Sequence, residues 1–202
     1  MAASRNRAGH AEIGAYISAP THDRNVDGTT QVVPLDPTRR LVVRAREGDR
    51  DAFAQLYREH YPAIFRLCRF RLGSDVDDAV SEVFTRAWRS IPSYRDVGIP
   101  FRAWLYGITR HVIVDELRRR DRFRPTDDIP DQVVEPMTVE LMALRDAVEL
   151  LPRKQRRVVE LKFLIGFTND EVASALGTSP GAVNAMQWRA MKTLANILGG
   201  ER

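Results

Sequence analysis

A chain of 202 residues with 44% hydrophobic content holds enough apolar material for one large core or two small ones, which excludes disorder throughout. Lys and Arg number 31 against 27 acids, a formal charge of +4, too small by itself to imply a nucleic-acid partner unless the charge is clustered. The single cysteine, Cys68, excludes an intrachain disulfide framework and a cysteine-rich zinc site, and His10, His22, His60 and His111 lack ligand spacing, so neither metal nor cofactor is expected.

Apolar runs fall short of the roughly 18–20 residues of a membrane span. Arg5 and Arg7 are not followed by an apolar signal core, so no membrane insertion and a cytoplasmic location are expected. Residues 1–35 mix Ala, Gly, Asn, Thr and scattered charges without periodicity and read as a disordered extension. The patches around Ile13 and Val32 leave a partner-binding segment open.

From Asp36-Pro37, a cap followed by a first-turn proline, the chain reads as helical almost to its end. Ala52, Phe53, Leu56, Tyr57, Tyr61, Ile64, Phe65 and Cys68 recur at three- and four-residue steps after Asp49, and Gly73 closes the segment. Pro62 inside it is expected to bend or interrupt the helix. Val80, Val83, Phe84, Ala87, Trp88 and Ile91 form a second stripe, stopped by Pro92. After a loop over 93–100, Phe101, Trp104, Leu105, Ile108 and Val112 form a third.

Residues 125–136 interleave Pro125, Pro130 and Pro136 with Asp127, Asp128, Asp131 and Glu135, the pattern of a stiff acidic linker. Leu141, Leu144, Val148 and Leu151 then recur before Pro152. The expected fold class is all-α: two small helical domains joined by an acidic Pro-rich linker, the C-terminal one containing a helix-turn-helix. The expected boundaries are 1–35 for the extension, 36–124 for the first domain, 125–137 for the linker and 138–202 for the second domain.

Residues 168–194 carry the most specific local pattern. Thr168 and Glu171 make a capping box, Gly177 supplies a turn, and Ser179-Pro180 restarts a helix as cap and first-turn residue. Ala173 and Val183 are the small contact and the apolar anchor that a helix-turn-helix needs, although a plain αα-hairpin would share part of this pattern. In a helix-turn-helix the second helix enters the major groove. Gly181, Asn184, Ala185 and Gln187 would face base edges, and Asn or Gln can pair with adenine. Arg189 and Lys192 lie further along and suit phosphate. Arg153, Lys154, Arg156 and Arg157 crowd positive charge at a helix start, where the dipole disfavours it, so either an external anion or a solvated run is indicated.

The first domain holds opposed charges. Asp75, Asp77, Asp78 and Glu82 make an acidic helix start, explicable by the dipole alone or as a docking face for a basic protein. Arg102, Arg110, Arg118, Arg119, Arg120, Arg122 and Arg124 line the third helix and its exit. Tyr94 and Tyr106 fall off the apolar stripe and are expected to be available for base stacking, as suits melted nucleic acid.

The segments around Asp51-Ala52-Phe53, 77–88, 101–120, Leu150-Leu151-Pro152 and Gly166-Phe167-Thr168, in this order, resemble the second and fourth conserved regions of the bacterial sigma-70 family, specifically the extracytoplasmic-function (group 4) RNA polymerase sigma factors. The resemblance spans roughly residues 40–198. It implies a non-enzymatic initiation factor that binds core RNA polymerase, reads the minus-thirty-five element, and recognises and melts the minus-ten element. Asp77, Asp78, Ser81 and Glu82 would dock on the clamp coiled coil of the polymerase β′ subunit, with the β subunit a further partner. Ser81 stands where the family often has Gln.

Ser93, Tyr94, Arg95, Arg102, Tyr106, Arg110, Arg118, Arg119 and Arg120 would hold minus-ten DNA. Arg153, Arg156, Arg157, Pro180, Gly181, Asn184, Ala185, Gln187, Trp188, Arg189 and Lys192 would contact minus-thirty-five DNA. Promoter DNA and an anti-sigma factor are the other implied partners. The residues alone leave one alternative: a conventional helix-turn-helix regulator with an N-terminal sensing or dimerisation domain.

Overall fold

The computed structural model describes residues 37–73, 76–95, 100–122 and 138–199, and the described elements are all helical. The tail 1–36, including the cap expected at Asp36, the loop positions 96–99 and the linker lie outside them.

Helix α1 spans Pro37–Arg46 and buries Val42 and Ala45 against α2, Arg50–Leu72. Asp49 caps α2 by accepting from the Ala52 amide at 2.9 Å, and Arg44 at the end of α1 donates to the other carboxylate oxygen at 2.8 Å. One side chain therefore starts a helix and fixes its angle to the helix before it. Gly73, at φ 79°, ends α2 where the sequence pattern expects. Pro62 does not interrupt α2. Both Pro62 and Arg58, whose carbonyl loses the bond a proline cannot donate, are exposed, so the missing bond falls on the solvent side of the helix and the packed face keeps its ladder.

Helix α3, Asp77–Ser90, buries Ala79, Val80, Val83, Phe84 and Ala87, and a 3-10 turn over Ile91–Ser93 takes in Pro92. Helix α4, Phe101–Arg122, packs against α2 and α3. It buries the expected Phe101, Leu105, Ile108 and Val112, and in addition Ala103, Tyr106, Thr109 and Ile113. A helix buried on more than one face has neighbours on more than one side.

The second neighbour is the C-terminal half. Helix α5 spans Val139–Glu149, with Thr138 as its cap. Helix α6, Arg153–Val159, runs on into a π-helical turn, Glu160–Ile165, which Gly166 ends at φ 86°. Helices α7, Asn169–Leu176, and α8, Pro180–Gly199, make the helix-turn-helix, with both halves of the Thr168–Glu171 capping box formed. Gly177 turns the chain at φ 61°, and Ala173 and Val183 are buried at the crossing. These agreements follow from short-range chemistry: a cap, a turn glycine and an anchor act within one helical turn.

The two halves share their cores. One apolar cluster joins Leu56, Ile64 and Leu105 of the first half to Val158, Leu161, Phe167 and Val172 of the second. Phe70 of α2 lies in a separate cluster with Ala147, Val148, Leu151, Val159, Ala190 and Leu194. Burying such a phenyl ring stabilises the contact by roughly 1.5–3 kcal/mol.

Candidate polymerase and nucleic-acid interface

The apolar face of α3 points inward, so helical spacing turns Asp77, Asp78, Ser81 and Glu82 outward together. Asp77, Asp78 and Ser81 are exposed. Glu82 accepts from Arg86 Nε at 2.7 Å, and Arg86 reaches Asp115 of α4 at 2.9 Å, which ties the acidic helix to its neighbour.

On α4 the arginines divide by partner. Arg118 is exposed. Arg119 makes a two-pronged pair with Glu116 at 2.9 and 2.8 Å, and Arg120 shares that carboxylate while donating to the Leu72 carbonyl at 2.6 Å. Arg120 thereby caps the C-terminus of α2. The bond from Arg119, with that from Arg120 and against the opposing effect of burial, holds the Glu116 carboxyl down to about 2. Arg110 is half-buried. Beyond the 3-10 turn, Ser93 and Arg95 are exposed, and the Ser93 hydroxyl donates to the Ser90 carbonyl at 2.7 Å.

The expectation of freely available tyrosines is corrected. Tyr94 and Tyr106 are each 6% exposed. Tyr94 packs against Trp104 and Phe101, with centroids 5.1 and 5.9 Å away. Tyr106 donates its hydroxyl to Glu160 of the π-helical turn at 2.7 Å. Burial, reinforced by the neighbouring carboxylate, pushes its phenol well above the ordinary tyrosine range. Tyr106 leaves the stripe read from sequence because α4 buries a second face, and Tyr94, just beyond the 3-10 turn, is buried against the aromatic start of that helix.

Arg102 is engaged across the same seam. It forms an ion pair with Glu171 of α7, and its guanidinium lies 4.5 Å from the centroid of the Phe167 ring. Arg71 of α2 sits between Glu160 and Glu149, the latter at 2.8 Å, and Arg66 donates to the Leu164 carbonyl at 3.2 Å.

Helix α8 turns the other way. Pro180, Gly181, Asn184, Trp188, Arg189 and Lys192 are exposed, while Ala185 and Gln187 are half-buried. Trp188 is 65% exposed, with Lys192 Nζ 5.3 Å from its ring centroid. Asn169 of α7 donates to the Asn184 side-chain carbonyl, which leaves the Asn184 amine as the outward group. Of the basic cluster, Arg153 is exposed and Arg157 half-buried. Arg156 faces inward, donating to Glu149 Oε2 at 2.5 Å and to the Glu149 carbonyl. The charge that looks misplaced at the start of α6 is thus partly used in capping the end of α5.

Glu160, Glu171 in its second role, Arg71, Phe167 and Asn169 are contact partners of the candidate residues or of one another, and the sequence patterns do not single them out for that. One signal is present. Glu160 interrupts the apolar run Val158-Val159-Glu160-Leu161, and an acid in such a run is either a break in the core or a buried, paired charge. Among the described residues there is no metal-ligating cluster, and no helix is long and apolar enough to cross a membrane.

Residues 56–123 match the family Sigma-70 region 2, and residues 141–194 match Sigma-70, region 4. The chain is 35% identical over 170 residues to the ECF RNA polymerase sigma factor SigD of Mycobacterium tuberculosis, covering 76% of this chain and 80% of that protein. It is 35% identical over 173 residues to BldN of Streptomyces coelicolor, covering 78% and 64%. For ShbA of Streptomyces griseus the identity is 32% over 174 residues, covering 76% and 91%. Among solved structures, CnrH in complex with the cytosolic domain of CnrY is similar at a TM-score of 0.63 and 29% identity, over 83% of this chain and 100% of that one.

Proposed function

The chain belongs to the extracytoplasmic-function RNA polymerase sigma factors, which direct promoter-specific transcription initiation, and we propose how its surfaces share that work. Residues 36–124 act as the polymerase-docking and minus-ten domain, 138–202 as the minus-thirty-five domain, 125–137 as the connection and 1–35 as an extension. The observation that carries this reading is the separation of three exposed surfaces: an acidic face on α3, the arginine-rich end of α4 with Arg118 and Arg119, and the outward side of α8.

Asp77, Asp78, Ser81 and Glu82 meet the clamp coiled coil of the β′ subunit, where opposite charge steers encounter and fixes register. Ser93, Arg95 and Arg118 offer exposed groups to minus-ten DNA. Tyr94, Arg102, Tyr106, Arg110, Arg119 and Arg120 join them once their present partners are exchanged. Trapping unpaired bases offsets the few kcal/mol needed to unstack them, so melting proceeds by differential binding and requires no catalytic group. The helix α8 enters the major groove with Asn184 and Gln187 toward base edges, while Arg189, Lys192, Arg153 and Arg157 hold phosphates.

The factor acts in the cytoplasm, where core polymerase is found. A regulatory partner of the anti-sigma kind belongs to the same reading, supported by the likeness to CnrH, which was solved bound to the cytosolic domain of CnrY.

Transcription by core polymerase on a genomic fragment library, with and without the protein, tests the reading. New transcript starts preceded by a shared pair of sequence elements are the expected result; absence of any new start would overturn it. A plain helix-turn-helix regulator would bind duplex DNA tightly alone and would not copurify with β′.

A further inference from the structure

Helix α8 buries Val183, Ala190 and Leu194, which turns Asn184, Trp188 and Lys192, each four residues from the next, outward in one row. Half-buried Ala185 and Gln187 flank that row. Its middle is held by neither a charge nor an amide but by an indole ring. Tryptophan is highly buried on average, yet Trp188 is 65% exposed, and Met191 beside it is 46% exposed. A ring left this open at the centre of a recognition face has its contact outside the chain.

The ring is also held in place. Lys192 Nζ lies over it, 5.3 Å from the centroid, so a cation covers one face and the rest is turned to solvent. Helical side chains lean toward the N-terminus, which brings Lys192 onto Trp188 and tilts Trp188 toward Asn184. The Asn184 amide is fixed in turn by Asn169. In a helix-turn-helix the first residues of the second helix meet the bases, and a residue two turns in reaches them only with a long side chain.

Each base pair presents its own pattern in the major groove, and among the four standard bases only thymine adds an apolar group there, its C5-methyl. An apolar ring, fixed and outward, suits that group. The same methyl is carried by 5-methylcytosine.

We propose that Trp188 reads a pyrimidine C5-methyl in the minus-thirty-five element, so that this position takes thymine or 5-methylcytosine and disfavours cytosine. The proposal rests on the entry of α8 into the major groove. Four residues of helix rise roughly 6 Å and a base step is about 3.4 Å, so this pyrimidine lies about two steps from the base that Asn184 reads. A promoter with cytosine there is used weakly until that cytosine is methylated.

The test uses holoenzyme assembled from core polymerase and the full chain, on duplexes carrying the minus-thirty-five element of a promoter it transcribes in vitro. Each thymine of the element, on either strand, is replaced in turn by uracil, which lacks only the methyl. Burying one methyl is worth about fourfold in affinity, and the uracil at the position read by Trp188 should weaken binding by that factor. In Trp188→Ala the same uracil should have no effect, and in Trp188→Phe, which keeps a ring, part of the loss should remain. With cytosine placed there, methylation at C5 should tighten binding of the wild type about fourfold and leave Trp188→Ala unchanged. An unaltered urea midpoint for Trp188→Ala verifies that the variant is folded.

Uracil tolerated at every position would overturn the proposal, as would a uracil effect that survives Trp188→Ala. So would a sensitive thymine more than about four steps from the base blurred by Asn184→Ala. A flat uracil scan with an even loss over all sequences in Trp188→Ala would make the ring a backbone contact. A loss confined to core-polymerase affinity would make it a protein contact. Failure of the underlying groove assignment is distinct, because Asn184→Ala would then also leave base discrimination unchanged.

Discussion

The Tyr106 hydroxyl donates to Glu160 Oε2 at 2.7 Å across 54 positions of sequence, and both side chains are buried. A carboxylate removed from water needs compensating partners, and here they come from two helices of the opposite half, Tyr106 on α4 and Arg71 on α2. The interface between the halves is therefore specified by charge placement as well as by apolar burial.

Arg71→Met should destabilise the chain by about 3–5 kcal/mol, because it takes the cation from a buried carboxylate and leaves the Tyr106 phenol beside it. Urea unfolding measures this. A loss below about 1 kcal/mol would mean that Glu160 recovers water in the variant, in the range of an exposed pair.

The Glu116 cluster sets an acid limit. Its carboxyl is held down to about 2 from an ordinary value of 4.5, chiefly by Arg119 and then by Arg120. A lowered folded-state pKa contributes stability above 4.5, and this contribution is lost as pH falls from there toward about 2. The urea midpoint of the wild type should exceed that of Glu116→Gln at pH 7, and the gap should narrow at pH 3. A gap independent of pH would show that the carboxylate charge is not what Arg119 and Arg120 recognise.

Asn184→Ala and Gln187→Ala should each cost roughly 1–3 kcal/mol of discrimination at particular minus-thirty-five bases. Asn169→Ala should blur the base read by Asn184 without touching the one read by Gln187, since Asn169 orients the Asn184 amide. Binding to a panel of single-base promoter variants reads both effects. Losses spread evenly over every sequence would make these side chains backbone contacts.

Asp78→Lys should weaken core-polymerase binding, on the order of tenfold, with promoter preference intact. It is a cleaner probe than Glu82→Lys, which also strands Arg86 beside Asp115. Competition against a labelled sigma factor for core polymerase gives the affinity, and unchanged affinity would remove α3 from the docking surface.

Much of this architecture is legible in the residues themselves. Asp49, Gly73, Thr168, Glu171, Gly177 and Ser179 mark helix ends through bonds spanning three or four residues, and such bonds form wherever the local sequence allows. The outward set on α3 follows from the inward one by helical geometry. Pro62 misleads because its effect depends on whether the orphaned carbonyl faces water, which is set by packing.

Local patterns in the residues suffice for the all-α fold class, the bounds of most described helices, the helix-turn-helix and the blocks of alternating charge that a small net +4 conceals. The burial of Tyr94 and Tyr106, the internal engagement of Arg102 and Arg156, and the joining of the halves by Phe70 and Glu160 emerge from long-range packing alone. The difference is one of range. Periodicity reports one buried face of a helix against its immediate neighbours, whereas a second buried face and the partner of a buried charge exist only once distant segments have met.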